Sequence, residues 1–362
     1  MRPGPTNTLT DVRGLRVGHA ERRGGGWLSG TTVVLAPDGG ATAGVDVRGG
    51  GPGTRETDLL DPRAMVPRVD AVVLSGGSAF GLAAASGVAD ALAADGTGLP
   101  VGGPGEVVPI VPAAVIFDLG RGGDFTCRPG PELGAAAYAA AHGDGGDGPV
   151  AQGCVGVGTG ARAGTLKGGV GSASAVLDDG TTVAALVVVN AVGSCVDPST
   201  GELYATRFGL PGEFDAVRAP DPADVERARA AAAAGAPSLA TTLAVVATDA
   251  TLTKAQCAKV AGIAHDGMAR GIRPVHTMLD GDTVFALATG ERGEPDLAGL
   301  QSVLGAAGDC LTRAVGHALL AADGADTRDG RLPSYLEAYP SAGRPAGAAT
   351  RTSAGPATGG GR

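Results

Sequence analysis

Apolar residues form short runs along this chain, and glycine, proline or aspartate interrupts each run. Unbroken runs of about four to eight apolar residues between turn residues are typical of strands buried on both faces. Longer stretches of small apolar residues indicate helices. The pattern predicts strands over 31–35, 41–47, 71–74, 154–157, 169–177 and 183–190, a strand that begins with Thr241, and a strand over 284–289. It predicts helices over 79–92, 131–141, 222–234, 254–270 and 297–322.

Turn residues indicate how these elements connect. The sequence Pro37-Asp38-Gly39-Gly40 predicts a hairpin between the strands 31–35 and 41–47, and Asp280-Gly281-Asp282 predicts a second hairpin before 284–289. Ser78 is the predicted N-cap of the helix over 79–92. Residues 107–117 are predicted to be extended, at an edge or irregular, because of Pro109 and Pro112. Helices that alternate with strands, mixed with hairpins, favour a layered α/β sandwich over a doubly wound sheet.

Composition limits the classes of protein that remain. The chain has 362 residues, 43% of them apolar but only 3% aromatic, and 64 glycines, so its core is expected to be aliphatic and closely packed. We expect one domain over 1–335 and a disordered tail over 341–362, where Gly, Ala, Pro, Ser and Thr dominate. The net charge of −9 comes without a basic stripe, which argues against nucleic-acid binding.

The cysteines and the hydropathy predict a compartment and exclude some sites. Five widely separated cysteines, without CxxC or CxH spacing, argue against a zinc site or a disulfide framework. No apolar run reaches the roughly 20 residues of a membrane span, and the N-terminus lacks the apolar core of a signal peptide. A cytoplasmic, soluble protein with no metal and no organic cofactor is expected.

Thr241 is the first candidate for chemistry. It follows an alanine-rich run over 230–237 that ends at Pro237, and it stands with Thr242 at the front of an apolar strand. A threonine whose own α-amine is free needs no separate base, because that amine, with a pKa of about 7.7–8.0, can take the hydroxyl proton. On the residues alone, two ordinary β-forming threonines at a strand start are the more frequent case.

Five further positions have both a chemical and a structural interpretation. Asp280 and Asp282 would share one face of a strand and orient an amine nucleophile, or they are simply turn residues. Lys167, one of three lysines, lies among glycines and would stabilise an oxyanion or keep an amine neutral, or it is a solvated loop residue. Asn190 ends an aliphatic strand as an oxyanion donor or as a strand terminator. Tyr138 lies on a small-residue helix, where a core aromatic is the simpler explanation.

The usual sequence motifs of nucleotide-binding proteins and of serine-triad hydrolases are not found in this chain. Gly76-Gly77-Ser78 follows a strand and precedes a helix, as a phosphate-binding loop would, yet its glycine spacing does not match GxGxxG and no P-loop is present. Binding of a substrate carboxylate at this helix start remains open. No GxSxG sequence occurs, which weakens a Ser-His-Asp hydrolase, and no closely spaced histidine pair indicates a metal site.

Taken together, the motifs resemble one known family. The chain is similar to the P1, or DmpA-type, family of N-terminal-nucleophile peptidases and amide hydrolases, which includes D-/L-aminopeptidases, β-peptidyl aminopeptidases and nylon-oligomer endohydrolases. The matching segments lie in the family's order and cover most of residues 8–325. They are 51–57, 74–82, 116–119, 159–169, 189–191, 241–249 and 276–290.

The resemblance implies a fold, a processing step and roles for residues. It implies a four-layer αββα sandwich of the DmpA and ornithine-acetyltransferase type, made as one precursor that cuts itself between Ala240 and Thr241 into an α-fragment, 1–240, and a β-fragment, 241–362. It implies homo-oligomers, such as a tetramer of αβ units. The matched site residues are the nucleophile Thr241, the oxyanion-side amide of Asn190, the site-lining Tyr138 and Lys167, the acid pair Asp280 and Asp282, and the wall residues Gly76, Gly77 and Ser78.

One departure and two alternatives accompany this interpretation. The threonine branch usually has Asn before the nucleophile, whereas this chain has Ala240, so the rate of self-cleavage is open. The expected activity is amide or peptide hydrolysis through an acyl-enzyme, on small peptides, amino-acid amides or oligoamides. The alternatives are an acyltransferase of the ornithine-acetyltransferase type and an unprocessed, non-catalytic binding protein. The sequence leaves open whether the substrate is an L-, D- or β-amino acid derivative.

Overall fold

The computed structural model describes residues 1–232 and 239–343. Strands contribute two large sheets and three two-stranded ribbons. The strands are β1 Arg16–Gly24, β2 Trp27–Leu35, β3 Thr42–Val47, β4 Thr54–Arg55, β5 Ala71–Ser75, β6 Leu99–Pro100, β7 Val107–Val108, β8 Ala113–Val115, β9 Arg162–Ala163, β10 Leu166–Lys167, β11 Gly169–Val176, β12 Thr182–Val189, β13 Leu243–Thr248, β14 Thr283–Ala288, β15 Ala325–Thr327 and β16 Gly330–Leu332. The α-helices are α1 Ala84–Ala94, α2 Pro131–His142, α3 Pro222–Ala232, α4 Lys254–Gly271, α5 Leu297–Ala321 and α6 Tyr335–Ala338.

The two large sheets each have five strands. The first sheet has the order β1-β2-β5-β8-β4, and the second has the order β11-β12-β13-β14-β3. In the second sheet, β13 and β14 are parallel and the other neighbours are antiparallel. Helix α4 connects β13 to β14, so these elements form a crossover unit, as parallel neighbours require.

Four layers follow from where alternate side chains point. In β12, Ala184, Leu186 and Val188 face the first sheet, and the residues between them face helices α4 and α5. The strand is buried on both faces, which explains its unbroken apolar sequence. Helices α1 and α2 cover the other face of the first sheet. The arrangement is helix, sheet, sheet, helix, and the predicted αββα sandwich is confirmed.

Most of the predicted elements are present with small shifts at their ends, but both predicted hairpins are wrong. The chain from β2 through Pro37-Asp38-Gly39-Gly40 leaves the first sheet and enters the second, where β3 pairs with β14. Strand β2 instead forms a hairpin with β1. The segment around Asp280 leads into β14, which pairs with β13 in parallel and with β3, so no hairpin forms there. Turn residues allow a reversal, but the burial available to each strand selects its partner.

Three further predictions need correction. Residues 154–157 do not form a strand; a 3₁₀ helix, Gly156–Gly160, occupies this region. Ser78 does not cap a helix, because it has a positive φ of 50° inside the 3₁₀ helix Ser78–Ala83 that precedes α1. In the predicted tail, Pro340–Ala342 is a 3₁₀ helix and Ala342 is fully buried. Residues 344–362, and the predicted helix end at 233–234, lie outside the described residues.

Candidate active site

The registers of the second sheet bring one row of residues together at one end of its strands. Val188 pairs with Leu243, so the same register places Asn190 opposite Thr241. The parallel pairing of Leu243 with Thr283 places Gly281 beside Thr241 on the other side. Continuing the outer pairs adds Gly168 next to Asn190 and Gly49 next to Gly281. Thr241 therefore lies two residues before the middle strand, β13, and in line with it, between Asn190 and Gly281.

Thr241 is almost fully buried, with 4% of its surface exposed. Its amide donates to the carbonyl oxygen of Asn190 at 2.7 Å, and its Oγ1 donates to the carbonyl oxygen of Ala240 at 2.5 Å. The hydroxyl of this residue thus lies against the peptide bond that precedes it. The amide of Ala240 donates to Leu279 O at 3.0 Å, which holds the residue before Thr241 on the β14 side.

Glycine at position 281 leaves room for the threonine hydroxyl. A Cβ at this position would lie 2.7 Å from Thr241 Oγ1 and 2.7 Å from the carbonyl oxygen of Gly51. Both distances are shorter than ordinary van der Waals contact. The close approach of two backbone segments around Thr241 Oγ1 therefore depends on this glycine.

The two predicted acidic residues hold the backbone around Thr241. Asp282 Oδ1 accepts from the amide of Thr242 at 2.7 Å, one residue after the candidate nucleophile. Asp280 Oδ1 accepts from the amide of Val192 at 3.2 Å, two residues after Asn190. Both carboxylates are 1% exposed. Because they accept from backbone amides, their geometry suits positioning of the two facing strands.

Behind the acid pair lies a histidine pair that the sequence reasoning did not select. His276 donates to Asp282 Oδ2 through its backbone amide at 3.0 Å, and its Nδ1 lies 2.8 Å from the same oxygen. Its ring contacts that of His265 edge-to-face at 4.7 Å, and His265 Nε2 lies 2.9 Å from Asp46 O. Burial lowers the pKa of His265 to about 4. His276 has a φ of 57°, so the strained backbone keeps this ring against Asp282.

Asn190 connects the candidate nucleophile, Thr241, to two arginines. Its Oδ1 accepts from Arg121 Nη1 at 2.6 Å and from the backbone amide of Arg162 at 3.0 Å. Both partners are obligatory donors, so the side-chain oxygen is identified and Nδ2 is the remaining group. Nδ2 donates to Phe117 O at 3.4 Å, near the long limit for a hydrogen bond. This weakly engaged donor is the group that an oxyanion would recruit.

Lys167 lies in the same region and is fully buried. Its Nζ donates to the carbonyl oxygens of Gly158 and Gly168, both at 2.8 Å, and burial lowers the pKa of its ammonium group. Gly168 lies next to Asn190 in the sheet, so Lys167 is one residue from the row that contains Thr241. A buried lysine beside the site is the less common of the two interpretations that the sequence allowed.

Asp118 and Arg121 are site residues that sequence reasoning did not identify. Asp118 is buried, which raises the pKa of its carboxyl group, and it accepts from Ser29 Oγ at 2.7 Å. Burial lowers the pKa of the Arg121 guanidinium to about 10. The signal available in the sequence was a charged pair three residues apart directly after the buried strand that ends near Ile116.

The glycine loop after β5 holds a carboxylate from the protein itself. The amide of Gly77 donates to Asp118 Oδ1 at 2.6 Å. A Cβ on Gly76 would lie against Asp118 and Ser29 Oγ, so the first glycine allows this approach. Ser78, with its positive φ, follows on the exposed side. The anion at this loop is thus Asp118, and a role of Gly76, Gly77 and Ser78 in binding substrate stays a prediction.

Tyr138 lies elsewhere in the described structure. Its ring packs in the cluster between the first sheet and helices α1 and α2, and it stacks on His142 at 5.6 Å. Its hydroxyl donates to Asp95 at the end of α1, and burial raises the pKa of this phenol. The structure therefore brings together, at one end of the strands of the second sheet, Thr241, Asn190, Lys167, Asp280 and Asp282. It places Tyr138 on the outer face of the first sheet.

This arrangement brings together the kinds of group that acyl transfer through a hydroxyl uses. A hydroxyl lies against a carbonyl group, a backbone carbonyl holds the adjacent nitrogen, and an amide side chain is available as a donor. Within residues 1–232 and 239–343, no group of three or more His, Cys, Asp or Glu side chains could hold a metal ion. None of the helices in this part of the chain is long and apolar enough to cross a membrane.

Comparison with known proteins gives one consistent group. The family model described as Peptidase family S58 matches residues 7–332. An uncharacterized aminopeptidase from Mycobacterium leprae is 51% identical over 361 residues, which cover 93% of this chain and 96% of that protein. A 6-aminohexanoate-oligomer endohydrolase from Paenarthrobacter ureafaciens is 32% identical over 304 residues, which cover 80% of this chain and 77% of that protein.

Solved structures agree in fold. A β-aminopeptidase from Burkholderia sp. superimposes with a TM-score of 0.68 at 25% identity and covers 94% of this chain and 95% of its own. The L-aminopeptidase D-Ala-esterase/amidase from Ochrobactrum anthropi, described as a variant of the Ntn-hydrolase fold, also has a TM-score of 0.68, at 22% identity and with coverage of 94% and 96%. The layers described above are thus those of an Ntn-hydrolase-type sandwich.

Proposed function

Since this chain belongs to peptidase family S58 and is a peptide- or amide-bond hydrolase, we propose that Thr241 is its nucleophile and that the chain cuts itself between Ala240 and Thr241. One observation carries the proposal. Thr241 Oγ1 lies 2.5 Å from the carbonyl oxygen of Ala240, while the Thr241 nitrogen is held 2.7 Å from Asn190 O. The attacking hydroxyl and the departing nitrogen of one peptide bond thus belong to the same held residue.

The first step makes the active site. Thr241 Oγ1 attacks the carbonyl carbon of Ala240 and loses its proton, and the bond from that carbon to the Thr241 nitrogen breaks as the nitrogen takes a proton. An ester joins Ala240 to Oγ1, and water hydrolyses it. The products are a carboxylate at Ala240 and a free α-amine at Thr241, which remains opposite Asn190 O.

The second step is the turnover of substrate. The new α-amine takes the proton of Thr241 Oγ1, which attacks the substrate carbonyl carbon, and Asn190 Nδ2 donates to the oxyanion. The amine returns the proton to the leaving nitrogen, and water then hydrolyses the acyl ester on Oγ1. Asp280 and Asp282 keep the facing strands in position through the amides of Val192 and Thr242. Lys167 adds positive potential on the Asn190 side.

Burial explains why the uncut chain is inactive toward substrate. Ala240 is 6% exposed and Thr241 is 4% exposed, so a substrate cannot approach Oγ1 while residue 240 is in place. The Thr241 nitrogen is then an amide and cannot act as a base. The proposed substrates are small peptides, amino-acid amides and oligoamides, which the names of the relatives support. We extend the proposal to a cytoplasmic homo-oligomer built from αβ units, which light scattering on the purified protein tests.

Intact mass and N-terminal sequencing test the proposal. The purified 35.0 kDa chain is expected to yield fragments 1–240 and 241–362, with a new N-terminus at Thr241. Thr241→Ala is expected to stay intact and inactive toward an amino-acid p-nitroanilide, Thr241→Ser to cut more slowly, and Thr242→Ala, the matched neighbour, to cut. An uncut wild-type chain with full amidase activity, or a cut at another bond, would contradict the proposal. Product analysis with an added amine acceptor separates hydrolysis from acyl transfer.

A further inference from the structure

A cavity of about 760 Å³ opens beside the candidate site. One wall is the loop after β8, from Phe117 to Phe125, and the opposite walls are α3 and the ribbon β15–β16 with the segment that follows it. Two backbone hydrogen bonds attach this ribbon to the site. The amide of Arg328 donates to Arg121 O at 2.9 Å, and the amide of Lys167 donates to Pro333 O at 2.7 Å. The cavity is large enough for an amino-acid residue or a short peptide.

The cavity begins one residue away from Thr241. Arg121 and Arg162 line it, and both contact the Asn190 side chain, as described above. The carbonyl oxygen of the same Asn190 accepts from the Thr241 nitrogen at 2.7 Å. A molecule in the cavity therefore lies on the Asn190 side of the nucleophile.

The charge of the cavity is positive. Five arginines and two carboxylates line it, namely Arg121, Arg162, Arg227, Arg328, Arg331, Asp329 and Glu337. Arg331 is paired with Glu337 and Asp326, and Arg227 is paired with Asp224. Across the described ranges, no carboxylate forms an ion pair with the other three arginines, although the carboxylates of Asp118 and Asp329 both act electrostatically on Arg121. The guanidinium groups of Arg162 and Arg328 are thus left for an anion to bind, whereas Arg121 Nη1 already donates to Asn190 Oδ1 and to Gly160 O.

The hydrogen bonds of the Ala240 and Thr241 nitrogens identify which part of a substrate would lie in the cavity. The acyl part takes the place of Ala240, whose amide is held by Leu279 O on the β14 side. The leaving nitrogen receives its proton from the α-amine of Thr241, which is held by Asn190 O on the β12 side. The leaving group therefore departs toward Asn190, and the arginine cavity lies in that direction.

Resting on the proposed function, we propose that this cavity binds a carboxylate on the leaving-group residue of the substrate. Arg162 and Arg328 supply the charge, with Arg121 at the Asn190 end. Guanidinium groups match a carboxylate with two parallel hydrogen bonds. The apolar side chains of Phe117, Leu119 and Phe125 line the same cavity and suit an apolar residue between the cleaved amide and the carboxylate. The preferred substrate class is thus a peptide whose leaving residue is apolar and carries a free carboxylate.

Matched substrates test this specificity. The first pair is a dipeptide that ends in leucine with a free carboxylate and the same dipeptide as its C-terminal amide. A third substrate, the dipeptide amide that ends in aspartate, moves the carboxylate to the side chain. The free acid is expected to exceed the leucine amide in kcat/KM by about tenfold or more, the factor for one charge-assisted hydrogen bond in this range. If the aspartate amide also exceeds the leucine amide, the cavity accepts a side-chain carboxylate as well.

Three variants locate the preference. Arg162→Gln and Arg328→Gln are expected to lower the ratio of acid to amide to below about threefold, and Arg162→Lys to restore part of it. Arg13→Gln is the control, since the Arg13 side chain is 84% exposed near Glu291, and its ratio should equal that of the wild type. Equal kcat/KM for acid and amide in the wild type, or a ratio that both glutamine variants leave unchanged, would overturn the proposal.

A binding experiment separates this proposal from the proposed function. Calorimetry with 3-phenylpropionate and its amide measures carboxylate binding without turnover. The acid is expected to bind more tightly than the amide, and Arg162→Gln is expected to remove the difference. An uncut, inactive chain that still binds the acid selectively would refute self-cleavage between Ala240 and Thr241 and support the cavity. A chain that is cut and active but binds both probes equally would support the proposed function and refute carboxylate binding in the cavity.

Discussion

The Thr241 nitrogen and the Asn190 carbonyl oxygen face each other at 2.7 Å across the central strands of the second sheet. The same contact serves two chemical states. In the uncut chain the nitrogen is an amide that completes a backbone ladder, and after the proposed cut it is an amine that the ladder still holds. The proposed nucleophile and its proposed base are thus placed by backbone pairing, which is less easily displaced than a pairing of two flexible side chains.

Gly281 sets the space for the Thr241 hydroxyl. The Cβ of Gly281→Ala would lie 2.7 Å from Oγ1 and would push the hydroxyl away from the Ala240 carbonyl group. We expect self-cleavage to slow by about a hundredfold, the effect of a displacement near 1 Å on a positioned reaction. The rate is measured as loss of intact mass after synthesis. Gly293→Ala, with no atom within 4 Å of its added Cβ, is the control and should cut at the wild-type rate. Equal rates for both variants would show that the close approach is unimportant.

Asp282 acts through the backbone of Thr242. The Asp282 carboxylate accepts hydrogen bonds from the backbone amides of Thr242 and His276 and from the His276 ring. In Asp282→Asn one of its oxygens becomes an NH₂ group, so at least one of these donors loses its acceptor. We expect a loss of about 2–4 kcal/mol in the free energy of unfolding and self-cleavage slower by about tenfold or more. Urea titration and intact mass measure the two effects. Asp178→Asn, whose side chain is 97% exposed, should change neither; a normal cutting rate in Asp282→Asn would refute the positioning role.

Thr242 distinguishes the two adjacent threonines. Its Oγ1 is buried and has no hydrogen-bond partner among the residues that the structure describes. Thr242→Val removes this unsatisfied hydroxyl and keeps the shape of the side chain, so the free energy of unfolding should stay equal or rise by about 1 kcal/mol. The new N-terminus at Thr241 should still form. Thr241→Val should prevent the cut, and cleavage in that variant would show that Thr241 Oγ1 is not the nucleophile.

His265 makes the stability depend on pH. Burial lowers its pKa in the folded protein to about 4, below the ordinary histidine pKa of about 6.5. Between these values the unfolded chain binds a proton that the folded chain does not, so stability falls as the pH falls. From pH 6.5 to 5, we expect this histidine to lower the free energy of unfolding by about 2 kcal/mol.

Urea unfolding of the uncleavable Thr241→Ala chain at both pH values measures this change. Adding His265→Gln keeps a donor for Asp46 O and removes the titrating ring, so the decrease between pH 6.5 and 5 should become smaller. An equal decrease in both chains would assign the pH dependence to other groups.

Much of the fold follows from local patterns. The unbroken apolar run of β12 requires burial on both faces, and the small-residue helices α4 and α5 supply one of the covering layers. The hairpin at Pro37-Asp38-Gly39-Gly40 illustrates the limit of such patterns, because a turn of suitable composition here carries the chain from one sheet to the other. Partner strands are chosen by the burial of whole faces, which no local window contains.

The candidate site, too, was predictable from the sequence only in part. Motifs and the family resemblance predicted Thr241, Asn190, Lys167, Asp280 and Asp282 as candidate site residues, and the structure brings these five together at one end of the strands of the second sheet. Asp118 and Arg121 were not found, because they follow a strand of the first sheet, and only the packing of the two sheets takes them to Lys167 and Asn190. Tyr138 has the chemistry of a site residue, but its helix packs on the outer face of the first sheet.

By itself, the sequence determined the kinds of element, the family and the nucleophile to test, since periodicity and motifs are properties of neighbouring residues. Tertiary structure alone decided the register that sets Thr241 between Asn190 and Gly281, the role of Gly77 as a donor to Asp118, and the positive cavity beside the site. These features arise from residues far apart in the chain. The distances between these residues depend on how the two sheets stack, and their charges interact through space. Spacing along the sequence therefore reveals neither the distances nor the electrostatic interactions.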